Sequence, residues 1–345
     1  MERIRIVVIE DSALMRLVVS DILKSDPELE VVGMAGNGKD GVEMVEKTRP
    51  HVVITDLMMP EYDGLYAIRN IMRKNPMPIM VLSGAGDESS QVVFEAMQAG
   101  ACDFLEKPQQ KGAGGVRGVD KELIAMVKAI SKTKVNAAKV LTTNQNTQLH
   151  SFGTSLPYDV FAIGASTGGP GAIEEVVRKL PGNFPVPVVL AQHMPASFIT
   201  SFAARINTLT PLNVKVAEEG ETLRPGNIYI APGTANMEVQ KVAGKVIVTL
   251  NNRTYTDFNN PSVNCLFESV ANVYKNKSIS VILTGMGKDG ARGMKMMKDA
   301  GGYTIAQDKN SCVVYGMPAA AVEMGGVTQS VRLVDISSFV VSCFA

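Results

Sequence analysis

The stretch Val160-Phe161-Ala162-Ile163-Gly164-Ala165-Ser166-Thr167-Gly168-Gly169-Pro170 runs from a strand-length apolar segment through a glycine-rich turn, then opens a helical pattern over Gly171–Leu180. A short apolar run followed by a turn and an amphipathic helix is the repeating unit of an α/β domain. Downstream, strand-like runs recur at Val186–Ala191, Val214–Val216, Asn227–Ile230, Val246–Leu250 and Ser280–Leu283, with helical patterns at Ser197–Asn207, Ser262–Tyr274 and Ala291–Ala300. The runs around Asn227–Leu250 follow one another without a helix, which suggests an antiparallel addition to a mostly parallel, doubly wound sheet.

The same alternation fills the beginning of the chain. Strand patterns at Ile4–Ile9, Glu30–Met34, Val52–Thr55, Met77–Leu82 and Cys102–Leu105 are interleaved with helical ones at Ala13–Lys24, Gly38–Lys47, Leu65–Lys74, Ser89–Ala99 and Lys121–Lys132. Five such units imply a second parallel sheet covered on both faces. Between them Gln109–Pro157 opens on four glycines and continues through the polar, aperiodic Thr142–Gln148, the composition of a flexible connector. At 345 residues two domains are expected: 1–132, a linker at 133–156, and 157–345.

No apolar run approaches the ~20 residues that span a bilayer, and Met1-Glu2-Arg3 does not lead into a signal peptide. Cys102, Cys265, Cys312 and Cys343 are scattered and read as reduced, mostly buried thiols of a cytoplasmic protein. Formal charge sums to zero, but residues 1–108 carry 18 acidic and 11 basic side chains, residues 109–156 carry 2 and 7, and the remainder 14 and 16. An output domain near neutrality speaks against nucleic-acid binding. The basic connector reads either as a partner for the acidic head or as a solvated lysine face.

In open α/β sheets ligands bind beyond the carboxyl ends of the strands. In the first domain those ends carry Glu10 and Asp11, Asp56, Ser83 and Lys107. Three converging carboxylates need a cation, and an oxygen-only donor set suits Mg²⁺. Asp56 would be the nucleophile for an acyl phosphate, with Lys107 and the Ser83 hydroxyl meeting the phosphoryl oxygens.

In the second domain Gly164-x-Ser166-x-Gly168 fits a nucleophile turn, in which the hydroxyl is lifted out and the next N–H faces a developing oxyanion. A phosphate-cradling loop is the alternative, although G-x-G-x-x-G and a P-loop lysine are both missing. Of the three histidines, His51 precedes a strand at the end away from the site and His150 falls in the connector. His193 stands at the carboxyl end of Val186–Ala191, on the edge that carries Ser166, and is the natural general base. Asp289, after the strand Ser280–Leu283, reads either as the group that orients the imidazole or as the N-cap of the helix that follows. The order Ser, His, Asp departs from that of α/β-hydrolases. The methionines, Met294, Met296 and Met297 among them, sit at core spacing and signify packing.

Glu10-Asp11-Ser12, Asp56 with Met59-Pro60 and Asp63-Gly64, Ser83, and Phe104 before Lys107-Pro108 resemble the receiver domain of two-component response regulators. The resemblance implies a flavodoxin-like five-stranded sheet, Mg²⁺ at Glu10, Asp11, Asp56 and the Met58 carbonyl, phosphorylation of Asp56, and phosphate sensing by Ser83, Phe104 and Lys107. Met59 stands where many relatives carry a polar or acidic residue, a difference expected to affect tuning rather than the chemistry.

Ile163–Pro170, Gln192–Pro195, Ile230–Gly233, Leu283–Gly290, Ala306–Asp308 and Ser311–Pro318 resemble the chemotaxis protein-glutamate methylesterases. That resemblance implies hydrolysis of glutamyl methyl esters on cytoplasmic chemoreceptor helices, with deamidation of glutamines, through a Ser166 acyl-enzyme. It implies Ser166, His193 and Asp289 as nucleophile, base and orienting acid. The backbone N–H groups of Thr167 and Met286 are the expected oxyanion donors. A chemotaxis histidine kinase is implied as phosphodonor, with no cofactor in the second domain. Asn264 departs from the aspartate common in relatives. The other reading is a response regulator whose output domain binds nucleotide or DNA without catalysis.

Overall fold

The computed structural model describes residues 2–84, 87–107, 117–133, 151–153, 156–258 and 260–344. Of the expected connector, 134–150 and 154–155 lie outside the described residues, and so do Pro108 and His150. The chain divides into two compact units, Met1–Leu141 and Thr142–Ala345.

In the first unit, strands β1 (Ile4–Ile9), β2 (Leu29–Ala35), β3 (Val52–Asp56), β4 (Ile79–Ser83) and β5 (Asp103–Glu106) form one parallel sheet in the order 2-1-3-4-5. The expected parallel five-stranded architecture is present. Strands β3 and β4 are buried on both faces, which their unbroken apolar runs require. Helices α1 (Ala13–Lys24), α2 (Gly38–Thr48) and α3 (Gly64–Lys74) each start on a polar cap. Ser12, Asn37 and Asp63 accept from the N–H groups of Met15, Asp40 and Tyr66, satisfying donors that a helix start leaves orphaned. Helices α4 (Asp87–Gln98) and α5 (Arg117–Ile130) complete the layers. His51 is structural: its Nδ1 accepts from the Arg5 N–H at 3.1 Å.

The second unit holds β6 (Val160–Ala165), α6 (Gly169–Arg178), β7 (Val188–Gln192), α7 (Ala196–Leu209), β8 (Asn213–Val216) and β9 (Asn227–Ile230). There follow β10 (Asn236–Val242), β11 (Lys245–Asn251), α8 (Val263–Tyr274), β12 (Ser278–Ile282), α9 (Ala291–Asp299), β13 (Tyr303–Gln307), α10 (Met317–Glu323), β14 (Gln329–Val331) and α11 (Leu333–Ser342). Seven strands form a parallel sheet in the order 14-13-12-6-7-9-8. The antiparallel addition is a separate hairpin of β10 and β11, and Asn227–Ile230 belongs to the parallel sheet instead. Chain order reverses at β6, whose neighbours are β12 and β7, so this is the switch point of the sheet.

The core between sheet, α8, α9 and hairpin buries Phe267, Val263, Met237, Met294 and Met297 completely, and Met296 packs against it from a half-buried position. Methionine therefore acts here as packing, as the helical spacing implies. Cys102 and Cys265 are buried, Cys312 and Cys343 half-buried, and all four are free thiols.

One buried amide ties the hairpin to the segment before α8. Asn236 is fully buried; its Oδ1 accepts from the N–H groups of Asn260 and Ser262, and its Nδ2 donates to the Arg253 carbonyl. Asn236→Ala orphans the buried Ser262 N–H and removes the partner of the Asn260 N–H and the Arg253 carbonyl at the surface, a loss of about 2 kcal/mol. A thermal or urea melt of the variant is expected to show that loss.

Candidate active site

Strands β12, β6 and β7 lie side by side, and their carboxyl ends carry Asp289, Ser166 and His193. Register keeps them together: Ala165 pairs with Gln192 and Gly164 with Ile282, so Ser166 and His193 each stand one residue past a paired position. The Ser166 turn is clamped from both neighbouring strands. Its N–H donates to the Thr284 carbonyl at 3.0 Å, and its carbonyl accepts from Gln192 Nε2 at 3.0 Å and from the Gly169 N–H at 2.6 Å.

Gln192 is buried, and its Nε2 also donates to the His193 carbonyl at 2.8 Å, so one amide spans both residues. A Cβ at residue 169 would lie 1.9 Å from Gln192 Oε1; only glycine lets α6 start this close. Gly285 is similarly constrained, since a Cβ there would meet Ser166 Cβ at 2.8 Å and Met317 Sδ at 2.3 Å. Thr284 Oγ1 donates to the Thr167 carbonyl at 2.9 Å, which holds the turn from below. Among the described residues, the N–H groups of Thr167 and Met286 meet no acceptor. Both flank Ser166 on the turns just described.

His193 Nε2 lies 2.8 Å from Asp289 Oδ2, and the two side chains are 6% and 2% exposed. With Nε2–H donating to the carboxylate, Nδ1 carries the lone pair. Among the described residues Ser166 makes no hydrogen bond to His193, a separation common in sites that tighten only around substrate.

Asp289 is not the N-cap of the helix that follows it. That position belongs to Gly290, and the carboxylate instead faces the start of α8. Oδ1 accepts from Ser262 Oγ at 3.1 Å, Asn264 N–H at 3.0 Å and Gly290 N–H at 3.0 Å, while Oδ2 accepts from Val263 N–H at 2.6 Å. Burial pushes this carboxyl upward. The hydrogen bond and charge of His193 and the N–H groups of Asn264 and Val263 outweigh that effect, so its pKa lies below the ordinary 3.8.

In the first unit the expected acidic residues also meet. Glu10, Asp11 and Asp56 bring ligand oxygens within 4.8 Å of one another, with Glu10 and Asp56 buried and Asp11 exposed. Lys107 Nζ reaches both Asp56 Oδ2 at 2.8 Å and Glu10 Oε2 at 2.9 Å. Burial raises Glu10 above the ordinary carboxylate value; the Lys107 hydrogen bond opposes this and the Asp56 charge adds to it. For Lys107 burial acts downward, yet the bonds to Asp56 and Glu10 hold the ammonium above its usual value. Ser83 is buried with its Oγ donating to the Gly84 carbonyl, and Phe104 is 7% exposed. The Met58 side chain is exposed while Met59 is buried against the unit. An all-oxygen, net-negative cluster beside one lysine fits a hard divalent cation.

Sequence reasoning did not single out Gln192, Thr284 or Ser262 for a role, nor Phe258, whose ring stacks on His193. The first two follow strand ends as the expected residues do, so position alone was a usable signal. Because the folded-state pKa of Asp289 is depressed, its stabilising contribution is complete above about 3.8 and is lost as pH falls through the lower folded value. Asp289→Asn is therefore expected to lower the melting temperature of the protein at neutral pH. Scanning calorimetry should show that difference narrowing below about pH 4.

Two family models match the chain: the CheB methylesterase over residues 161–340, and the response regulator receiver domain over residues 6–113. A protein-glutamate methylesterase/protein-glutamine glutaminase of Methanococcus maripaludis is 37% identical over 353 residues, covering 97% of this chain and 96% of that protein. One of the same description from Pyrococcus abyssi is 38% identical, covering 98% and 93%. The crystal structure of the Thermotoga maritima CheB methylesterase catalytic domain is 40% identical with a TM-score of 0.53, covering 54% of this chain and 98% of that one. The reading as a nucleic-acid-binding output domain is set aside: this chain belongs to the CheB methylesterase family and carries a response regulator receiver domain ahead of the methylesterase domain.

Proposed function

We propose that this chain is a chemotaxis enzyme that hydrolyses glutamyl methyl esters on chemoreceptors, deamidates receptor glutamines at the same site, and is switched by phosphorylation of Asp56. The observation that carries the chemistry is the His193–Asp289 contact at 2.8 Å on the strand-end edge shared with Ser166. Ser166 Oγ attacks the side-chain carbonyl of the substrate as Nδ1 of His193 takes its proton. The imidazolium is steadied by Asp289, and the Thr167 and Met286 N–H groups receive the developing oxyanion. Collapse expels methanol, or ammonia from a glutamine, which takes the proton from His193. Water then attacks the acyl-enzyme with His193 again as base, releasing the glutamate carboxylate and restoring Ser166.

In the receiver, Glu10, Asp11, Asp56 and the Met58 carbonyl would hold Mg²⁺, which when bound offsets the charge gathered around the phosphoryl group. Lys107 already bridges Glu10 and Asp56, so a phosphoryl group on Asp56 would take up one of its contacts. Ser83 and Phe104 then reorient to report the new charge. A chemotaxis histidine kinase supplies the phosphoryl group. The protein works in the cytoplasm, where the receptor helices that carry the esters lie. Among the described residues no helix is long and apolar enough to cross a membrane. The domains are read as 1–132 and 157–345 with a connector over 133–156, and the unphosphorylated receiver as an inhibitor of the methylesterase domain; a few kcal/mol of bias suffices for such a switch.

Ser166→Ala is expected to abolish methanol release from methylated receptor membranes while leaving the melting temperature unchanged, and normal turnover would remove the proposed nucleophile. Deleting residues 1–140 is expected to raise basal methanol release. Activity equal to or below that of the full chain would refute the inhibitory role.

A further inference from the structure

The segment between β11 and α8 brings Phe258 onto His193. The two rings lie face to face, their centroids 3.7 Å apart and their planes 12° from parallel. Phe258 remains 38% exposed, so core burial is not what fixes it. Its neighbour is the anchor. Asp257 Oδ2 accepts from Asn264 Nδ2 at 3.2 Å, and Asp257 Oδ1 lies 3.6 Å from Lys288 Nζ.

Asn264, 1% exposed, sits in the first turn of α8 and joins three parts of the site. Its N–H donates to Asp289, its Oδ1 accepts from the Gly293 N–H at 2.9 Å, and its Nδ2 holds Asp257. An aspartate at this position could still serve Gly293. It would also set a second carboxylate against Asp257 and repel the segment that carries Phe258. Asp289 meets the imidazole at Nε2, and Asp257, the residue before Phe258, is paired with Lys288.

We propose that Phe258 is a positioning residue for the His193 base, and that the Asn264 amide holds it there through Asp257. The inference rests on His193 acting as the base. Asp289 fixes one ring nitrogen, and the stack fixes the ring plane, so Nδ1 is aimed in a single direction. The aromatic face is electron-rich and interacts more favourably with an imidazolium than with neutral imidazole. Phe258 is therefore placed to stabilise the charge that develops on the ring as Ser166 gives up its proton.

Full-length Phe258→Leu keeps an apolar cover and removes the ring. Methanol release is expected to show kcat lowered about ten-fold with little change in KM. The NMR signals of the His193 ring protons, displaced by the ring stacked on them, should lose that displacement in Phe258→Leu without reference to turnover, and Phe258→Tyr should restore both readouts. Asn264→Asp is expected to reproduce the Phe258→Leu phenotype, and adding Asp257→Asn should reverse it by rebuilding an amide–carboxylate pair in the opposite sense. An unchanged rate and unchanged ring-proton signals in Phe258→Leu would overturn the role of the ring. Failure of Asp257→Asn to rescue Asn264→Asp would overturn the anchor. If Ser166→Ala stayed active, the site reading itself would fall, whatever Phe258 does.

Discussion

The catalytic unit is organised around one buried anion. Asp289 occupies a position where burial alone would favour neutralising it, and it stays ionised because five donors converge on its two oxygens. Three of them, from Ser262, Val263 and Asn264, come from the start of α8, so the carboxylate also sits against the positive end of that helix. The arrangement fixes α8 against the end of β12, and α8 carries Phe267 into the core. Orientation of His193 and packing of the domain therefore depend on the same charge.

The two units use one topological device for opposite electrostatic ends. Each gathers polar residues at the switch point of a parallel sheet. In the first unit the gathered groups repel, and a single lysine bridging Glu10 and Asp56 makes the cluster tolerable. In the second the gathered groups attract: an anion held by an imidazole and by N–H groups. The first arrangement suits the cation and phosphoryl group proposed for it, the second the acyl transfer proposed for Ser166.

Much of this was legible in the sequence because strand ends are fixed by apolar runs. Ser166, His193, Asp56 and Lys107 could be placed from the residues that precede them. Less was legible where the decisive partner lies far away. Asp289 beside Gly290 has the local look of a cap, and nothing nearby discloses that its donors belong to α8. Phe258 lies in a segment without periodicity, and its stacking partner is reached only through the folded sheet. Strands β13 and β14 went unassigned for a simpler reason. The first is short and follows two glycines, and the second is a three-residue edge whose first two positions are polar and exposed. Asn264 could be read only as a departure from a common aspartate that bears on packing or substrate contact; its bond to Asp257 is visible only in the fold.

The switch-point geometry also sets when the site comes into being during folding. His193 and Asp289 are 96 residues apart, and the Thr284–Thr167 clamp closes a separation of 117. Contacts of such span form late, because the loop entropy they cost is recovered only once the strands between them have paired. A nascent chain that has emitted β6 and β7 possesses the serine and the histidine but lacks the strand that completes their surroundings. The contact between His193 and Asp289 therefore cannot exist until residue 289 has been made, so the base is oriented only after the rest of its sheet edge is in place.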